Sequence, residues 1–483
     1  MRLLDTIFYW AKADPSRRAF IQPEMVTTYQ ALADAIDSIS ARIDQLGLDR
    51  NEPLAISIAN PSFFVAAVFA VLRSGYTAAL VKPPMFPLLH SIGVRNLIHD
   101  SQGSVLSGGR NIRFDMSWLP RPGQPAPPRK RETRSIGDGG MIFFTSGSTG
   151  LPKKVLQSPA ALDELMKNPF ALPSGPYEKI LVMPGLSSTF GFNRTCEILN
   201  VGKTACFAPD SHAALLLIDL FKADLVIGSV AQVLGLAKSK KANPSASTES
   251  LKAVVAGGGK IATEGVAAVR ATLCRNFIKH YGATEAGVVA IGAFDLVQHI
   301  PDAVGYVLPW AELEIVDESG QVLPAEAEGL IRYRTPRLLE NLKMAGAAGL
   351  PNVRDQWFYP GDIGSITAEG ILRLAGRSSD VINRGGVKVS GTKIEEVLQA
   401  LPGVKEAAAV GILGDSNLEE FWIAIVANGS IEVAEIKRCL LEHNELGIEP
   451  DEVFVVDELP RGELGKVQKY RLREQLVRRK KGA

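Results

Sequence analysis

Cysteine is scarce in this chain, and long apolar runs are absent. Cys196, Cys206, Cys274 and Cys439 stand far apart in 483 residues, with none of the paired spacing that holds a structural metal. They predict a reducing compartment and no disulfide framework. The longest apolar run, Phe63 to Leu72, falls short of the roughly 20 residues that a bilayer-spanning helix needs. An excess of either charge is missing too. Lys plus Arg number 53 and Asp plus Glu 52, a net charge of +1, which predicts affinity for neither nucleic acid nor membrane. The first residues carry Asp5 inside their apolar part and no small-residue cleavage site, so they do not read as a signal peptide. Leu3, Leu4, Ile7, Phe8 and Trp10 fit one face of an amphipathic helix instead. Together these absences predict a soluble, cytoplasmic protein.

What is present is ordinary globular material at a length that exceeds one simple core. Hydrophobic residues make up 46% and charged residues 22%, and 483 residues predict two or more domains. Leu54 to Ile58, Ala78 to Val81, Ile180 to Pro184, Leu225 to Gly228, Leu251 to Ala256 and Asn276 to Tyr281 read as strands separated by helical stretches. Thr27 to Leu32, followed by Ala35, Ile36, Ile39 and Ile43, reads as a capped helix with apolar residues at helical spacing. That alternation predicts parallel sheets with helices on both faces. Pro120 to Gly140, with five prolines, breaks the rhythm as a loop. From Gly305 to Asp380 short alternating runs predict antiparallel hairpins. A separate helix and strand pattern follows Asp380. The fold class predicted is therefore α/β: a large N-terminal domain, 1–377, with doubly wound sheets plus a small β subdomain, and a small α+β C-terminal domain, 378–483. No internal repeat is visible.

The chemistry centres on Met141 to Val155. Met141, Ile142, Phe143 and Phe144 read as a buried strand running into Thr145, Ser146, Gly147, Ser148, Thr149 and Gly150, with Lys153 just beyond. Glycine and hydroxyl residues with free N–H groups can ring a polyanion, and the lysine adds a point charge. The spacing is not that of the P-loop. Taken alone, the stretch reads equally as a surface turn. Further along stand Gly257-Gly258-Gly259, Tyr281-Gly282-Ala283-Thr284-Glu285, Gly361-Asp362, Gly376-Arg377 and Gly462-Glu463-Leu464-Gly465-Lys466. In this order the set resembles the acyl-adenylate-forming superfamily: acyl- and aryl-CoA ligases, adenylation domains and luciferases. The resemblance runs from about Thr27 to Lys466.

The resemblance implies an enzyme that joins a carboxylic acid to AMP and then passes the acyl group to a thiol, after a mobile C-terminal domain has rotated. Thr145 to Gly150 with Lys153 would hold the outer phosphates of ATP. Thr284 would bind the α-phosphate, Glu285 Mg²⁺, and Tyr281 with Gly282 would lie near adenine. Gly257, Gly258 and Gly259 would flank adenine and acyl group. Asp362 would accept from the ribose hydroxyls, Arg377 would contact ribose or phosphate, and Lys466 would be the adenylation lysine. Departures from the pattern fall at Lys154, Lys260, Pro360 and the hinge position Ser379.

No aspartate stands near Phe190-Gly191-Phe192-Asn193, which disfavours an amino acid. The aromatic or histidine gate of the family is replaced by Gly185-Leu186-Ser187-Ser188-Thr189. Small residues here and at Gly257 to Gly259 leave room for an aryl or medium acyl acid. CoA is the leading acceptor. A phosphopantetheinylated carrier protein is the alternative, and a non-catalytic nucleotide-binding protein a third reading. The sequence sets no oligomeric state, a homodimer being one arrangement left open.

Overall fold

A computed structural model describes the chain except residues 1, 91–92, 103–104, 107, 121–138, 147–151, 168–174, 260, 262, 347–348, 385–386, 414–418, 444–448, 463–464 and 482–483. Among the described residues two large sheets share one apolar layer. The first has six strands in the order Arg110–Arg113, Asn96–His99, Leu54–Ser57, Ala78–Leu80, Met141–Ser146 and Pro152–Gln157. All its pairs are parallel except the last, where Thr145 faces Lys153 and Ser146 faces Pro152. Met141–Ser146 and Pro152–Gln157 thus form a hairpin at the sheet edge, and Gly147 to Leu151 lie outside the described residues.

The second sheet begins as parallel strands, Thr204–Cys206, Lys179–Val182, Leu225–Ser229, Ala253–Gly257 and Phe277–Ala283 side by side. It then changes direction without a break. Phe277–Ala283 pairs antiparallel with Gly287–Ala293, which pairs with Ala303–Val307, which pairs with Ile371–Arg377. The small β part expected within the large domain is hydrogen-bonded to the doubly wound part as one continuous sheet. The switch from parallel to antiparallel falls at the turn Thr284-Glu285-Ala286. Gly282 allows it, because a β-carbon there would enter the carbonyl of Gly287.

Between the sheets lies the helix Pro61–Arg73. Asn60 caps it, accepting from Ser62 N at 2.9 Å and Phe63 N at 3.2 Å, and Pro61 opens it. The apolar run is buried on all sides, Val65 and Val68 to Val71 being fully covered, which is why it shows no polar face. Thr189–Asn200 shares this layer: Phe192 packs on Phe69 at 5.9 Å and on Phe143 at 6.1 Å. Phe143 belongs to the strand entering the glycine-rich hairpin, so that strand and this helix are fixed to each other. The first helix, Arg2–Ala13, buries Leu3, Leu4 and Ile7 as its pattern predicts.

After Asp380 come a small hairpin, Val381–Arg384 with Val387–Ser390, and a sheet of Val404–Leu413, Glu419–Ala427 and Glu452–Val455. Ile394, Leu398, Ile436 and Leu440 cover one face of that sheet, and Leu472 and Leu476 the other. The basic terminal run is the end of the helix Lys469–Lys481. Among the described residues no helix is long and apolar enough to cross a membrane, and the four cysteines are free.

Candidate active site

The turn Thr284-Glu285-Ala286 is the point on which neighbouring elements converge. The Thr284 hydroxyl is 2.8 Å from that of Thr189, the first residue of the helix Thr189–Asn200, which Ser188 caps by accepting from Gly191 N at 3.1 Å. Each carbonyl of the turn has a side-chain donor from the start of the helix Pro336–Ala345. Arg337 Nη2 donates to Thr284 O at 3.0 Å, Asn341 Nδ2 to Glu285 O at 3.1 Å, and Thr335 Oγ1 to Ala286 O at 2.9 Å.

Asp362 and Arg377 are partners directly across the hairpin of Asp362–Ile366 and Ile371–Arg377. The short Gly-Asp and Gly-Arg signals, fourteen residues apart in spacing alone meaningless, meet because they stand at the open end of one hairpin. Arg377 Nε lies 2.9 Å from Asp362 Oδ1. Tyr281 donates its hydroxyl to Asp362 Oδ2 at 2.5 Å. Burial, then Tyr333 and Asp362, raise the Tyr281 phenol well above its usual pKa, so it stays a donor. Asp362 itself is 7% exposed.

Ala253–Gly257 pairs in parallel with Phe277–Ala283, the last strand of the parallel run. Gly257 lies against the imidazole of His280, where a β-carbon would collide, and Gly258 has φ +77°. His280 packs edge-on against Phe190 with centroids 4.7 Å apart. Burial first, and the charge of Arg194 second, lower its pKa to about 3, so the ring is neutral, and its Nδ1 is buried with no hydrogen-bond partner. Arg194 forms a buried ion pair with Glu197 on the same helix.

Lys466 arrives from the far end of the chain. Gly465 beside it, at φ +76°, approaches Ala231 at the start of the helix Val230–Ala242 so closely that a β-carbon would not fit. The loop is tied within itself by Gly462 N donating to Lys466 O at 2.7 Å. Lys466 as a residue remains exposed. Its crowded ammonium nonetheless has a pKa lowered to about 8, by burial first and Arg377 second, while Asp362 and Asp380 pull the other way. The lysine, Arg377 and Asp362 therefore share one electrostatic neighbourhood.

Of the remaining expected residues, Gly147, Ser148, Thr149 and Gly150 lie outside the described residues, as do Lys260 and the side chains of Thr145, Ser146, Lys153 and Ser379. Lys154 is exposed, as a solvent-facing side chain at that departure would be. Thr189, expected only as part of the small-residue stretch Gly185 to Thr189, contacts Thr284, and His280, Arg337 and Asn341 pack at the site without having been expected from sequence. Thr189 opens a capped helix after Ser188, a signal that could have marked it; the others carry no local signal.

The order of the motifs and the mixed sheet that carries them are those expected of an acyl-adenylate-forming enzyme. The chain belongs to the AMP-binding enzyme family, which it matches over residues 7–341. Among curated relatives, an indoleacetate–CoA ligase of Aromatoleum aromaticum is 28% identical over 99% of both chains. A salicyl-AMP ligase / salicyl-S-ArCP synthetase of Mycobacterium tuberculosis is 25% identical, covering 93% of this chain and 85% of its own. Among solved structures, O-succinylbenzoate coenzyme A synthetase of Bacillus subtilis, in complex with ATP and magnesium ion, superposes with a TM-score of 0.81. It is 21% identical over 98% of this chain and 99% of its own, a likeness that establishes the shared fold.

Proposed function

We propose that this enzyme activates a carboxylic acid with ATP and transfers the acyl group to the thiol of CoA, the acid being an aryl or medium acyl acid. The observation that carries the reading is the cluster in which Asp362 receives Tyr281 at 2.5 Å and faces Arg377 at 2.9 Å, a pair whose charges also act on Lys466. In the first step a carboxylate oxygen attacks the α-phosphorus, the bond to the bridging oxygen breaks, and pyrophosphate leaves. Two anions must approach, so catalysis rests on neutralising charge and holding the reactants in line. Lys466 supplies a cation between carboxylate and α-phosphate, and Thr284 a hydroxyl donor on the phosphate. Asp362 accepts from ribose. Gly147 to Gly150 and Lys153 hold the outer phosphates.

A magnesium ion fits the donor set. Among the described residues no three His, Cys, Asp or Glu side chains gather as a metal cage, and Mg²⁺ is held by one or two carboxylates plus phosphate oxygens and water. Glu285 is the carboxylate that would hold it, and the bound ion would offset phosphate charge. In the second step the sulfur attacks the acyl carbon and AMP leaves as the carbonyl re-forms. Residues 378–483 are the unit we take to reorient between steps, with Ser379 as hinge.

The acid pocket is bounded by Phe190, His280 and Gly257 to Gly259, an apolar and small-residue surface suited to a ring or short chain. The indoleacetate–CoA ligase favours CoA as acceptor. The mycobacterial relative named for an S-ArCP product favours the second reading, a carrier-protein thiol. Acid-dependent ATP–pyrophosphate exchange tests the first step across a panel of carboxylic acids. Thioester formation with CoA, against that with phosphopantetheinylated carrier protein, decides the acceptor. No exchange with any acid overturns the activation step.

A further inference from the structure

We propose that Arg337 and Asn341 are positioning residues for recognition of the magnesium-bound form of the nucleotide: from one helix they grip the carbonyls of Thr284 and Glu285 and brace that turn to the strand Pro152–Gln157. This rests on the reading that Thr284 and Glu285 face a magnesium-bound nucleotide. Three consecutive carbonyls, of Thr284, Glu285 and Ala286, are taken by Arg337, Asn341 and Thr335 at 3.0, 3.1 and 2.9 Å. Thr335, Arg337 and Asn341 are 2%, 5% and 0% exposed. Carbonyl groups fixed at three successive residues leave a turn little freedom to rotate its side chains.

The same two residues face the other way as well. Arg337 Nη2 donates to Gln157 Oε1 at 3.0 Å, and Asn341 Oδ1 accepts from Ser158 N at 2.9 Å. Gln157 ends the strand Pro152–Gln157 that leaves the hairpin, and Ser158 caps the helix behind it, accepting from Ala161 N at 2.9 Å. The hairpin read as holding the outer phosphates and the turn read as holding the α-phosphate and metal are therefore referenced to one rigid element. Packing alone does not call for this choice. A guanidinium buried with its Nε unpartnered is costly compared with a leucine or methionine of similar volume. Burial first and the charge of Arg194 second lower its pKa to about 10, against the raising charges of Glu197 and Glu285.

The test separates positioning from general stability by measuring ATP binding calorimetrically, at saturating Mg²⁺ and in EDTA, for wild type, Arg337→Met, Arg337→Lys and Asn341→Leu. Positioning predicts that the gain in ATP affinity conferred by Mg²⁺ falls by about fivefold or more in Arg337→Met and Asn341→Leu, the scale of one lost hydrogen bond to a charged group. Arg337→Lys recovers part of it, and ATP affinity in EDTA changes less than about twofold, well under that scale. Melting curves are recorded alongside. Equal loss in both conditions, or a lowered melting temperature with the Mg²⁺ gain intact, overturns the assignment. Where Arg337→Met does not fold, Arg337→Lys and Asn341→Ser carry the same comparison. Wild type that binds ATP without any Mg²⁺ gain overturns instead the reading of Glu285 on which the assignment stands.

Discussion

Asp362 Oδ2 receives the hydroxyl of Tyr281 at 2.5 Å while Oδ1 faces Arg377 Nε at 2.9 Å. A carboxylate has about four lone-pair sites, so two remain, enough for the two hydroxyls of a ribose. Both protein partners orient the carboxylate without filling it. Tyr281→Phe is expected to raise the KM for ATP by about tenfold or more, the effect of one hydrogen bond to a charged group. Asp362→Ala is expected to cost far more, measured by ATP dependence of pyrophosphate exchange.

The Lys466 ammonium, with its pKa lowered to about 8, loses its charge as pH rises through that value in the free enzyme. Bound phosphates favour the charged form and shift the limb upward. Pyrophosphate exchange is expected to fall on the alkaline side, later at saturating ATP than at low ATP. Lys466→Ala is expected to abolish exchange while thioester formation from preformed acyl-AMP largely survives. Equal loss of both half-reactions would refute separate conformations for the two steps.

Ala231 is exposed on the large domain and meets Gly465. Ala231→Leu places bulk in that contact without touching any core residue. Adenylation is expected to drop by up to about a hundredfold, as small misplacements at a reacting centre do, with unchanged urea unfolding and unchanged thioester formation from acyl-AMP.

Gly257 faces the His280 ring with no room for a β-carbon. Gly257→Ala is expected to destabilise the protein by about 1–3 kcal/mol through overpacking, read by chemical denaturation. Adding His280→Ala should return most of that loss, and a double-mutant cycle measures the coupling.

Much of this architecture was legible from local pattern. Thr28 and its helix, the apolar run at Phe63, the short parallel strands and the hairpins after Gly305 all fell where periodicity and turn residues put them. The order of the motifs identified the family. Pairing across distance was not legible, because a strand's pattern records which faces are buried and not which strand lies beside it. Hence the hairpins of the β part were legible, but not that Gly287–Ala293 continues the sheet from Phe277–Ala283. Arg337 and Asn341 looked like an ordinary polar spacing on a helix after a Thr-Pro cap. Their burial, and the carbonyls they hold, exist only once residues some fifty positions earlier in the chain have folded against them.

The change of strand direction at Thr284-Glu285-Ala286 also divides labour along the chain. Phe190, His280 and Gly257 belong to the parallel side, Asp362 and Arg377 to the antiparallel side. A library that diversifies Phe190 and its neighbours to recruit new acids, with Gly257 kept, should leave Asp362 and Arg377 undisturbed, making this chain a tractable starting point for altered specificity.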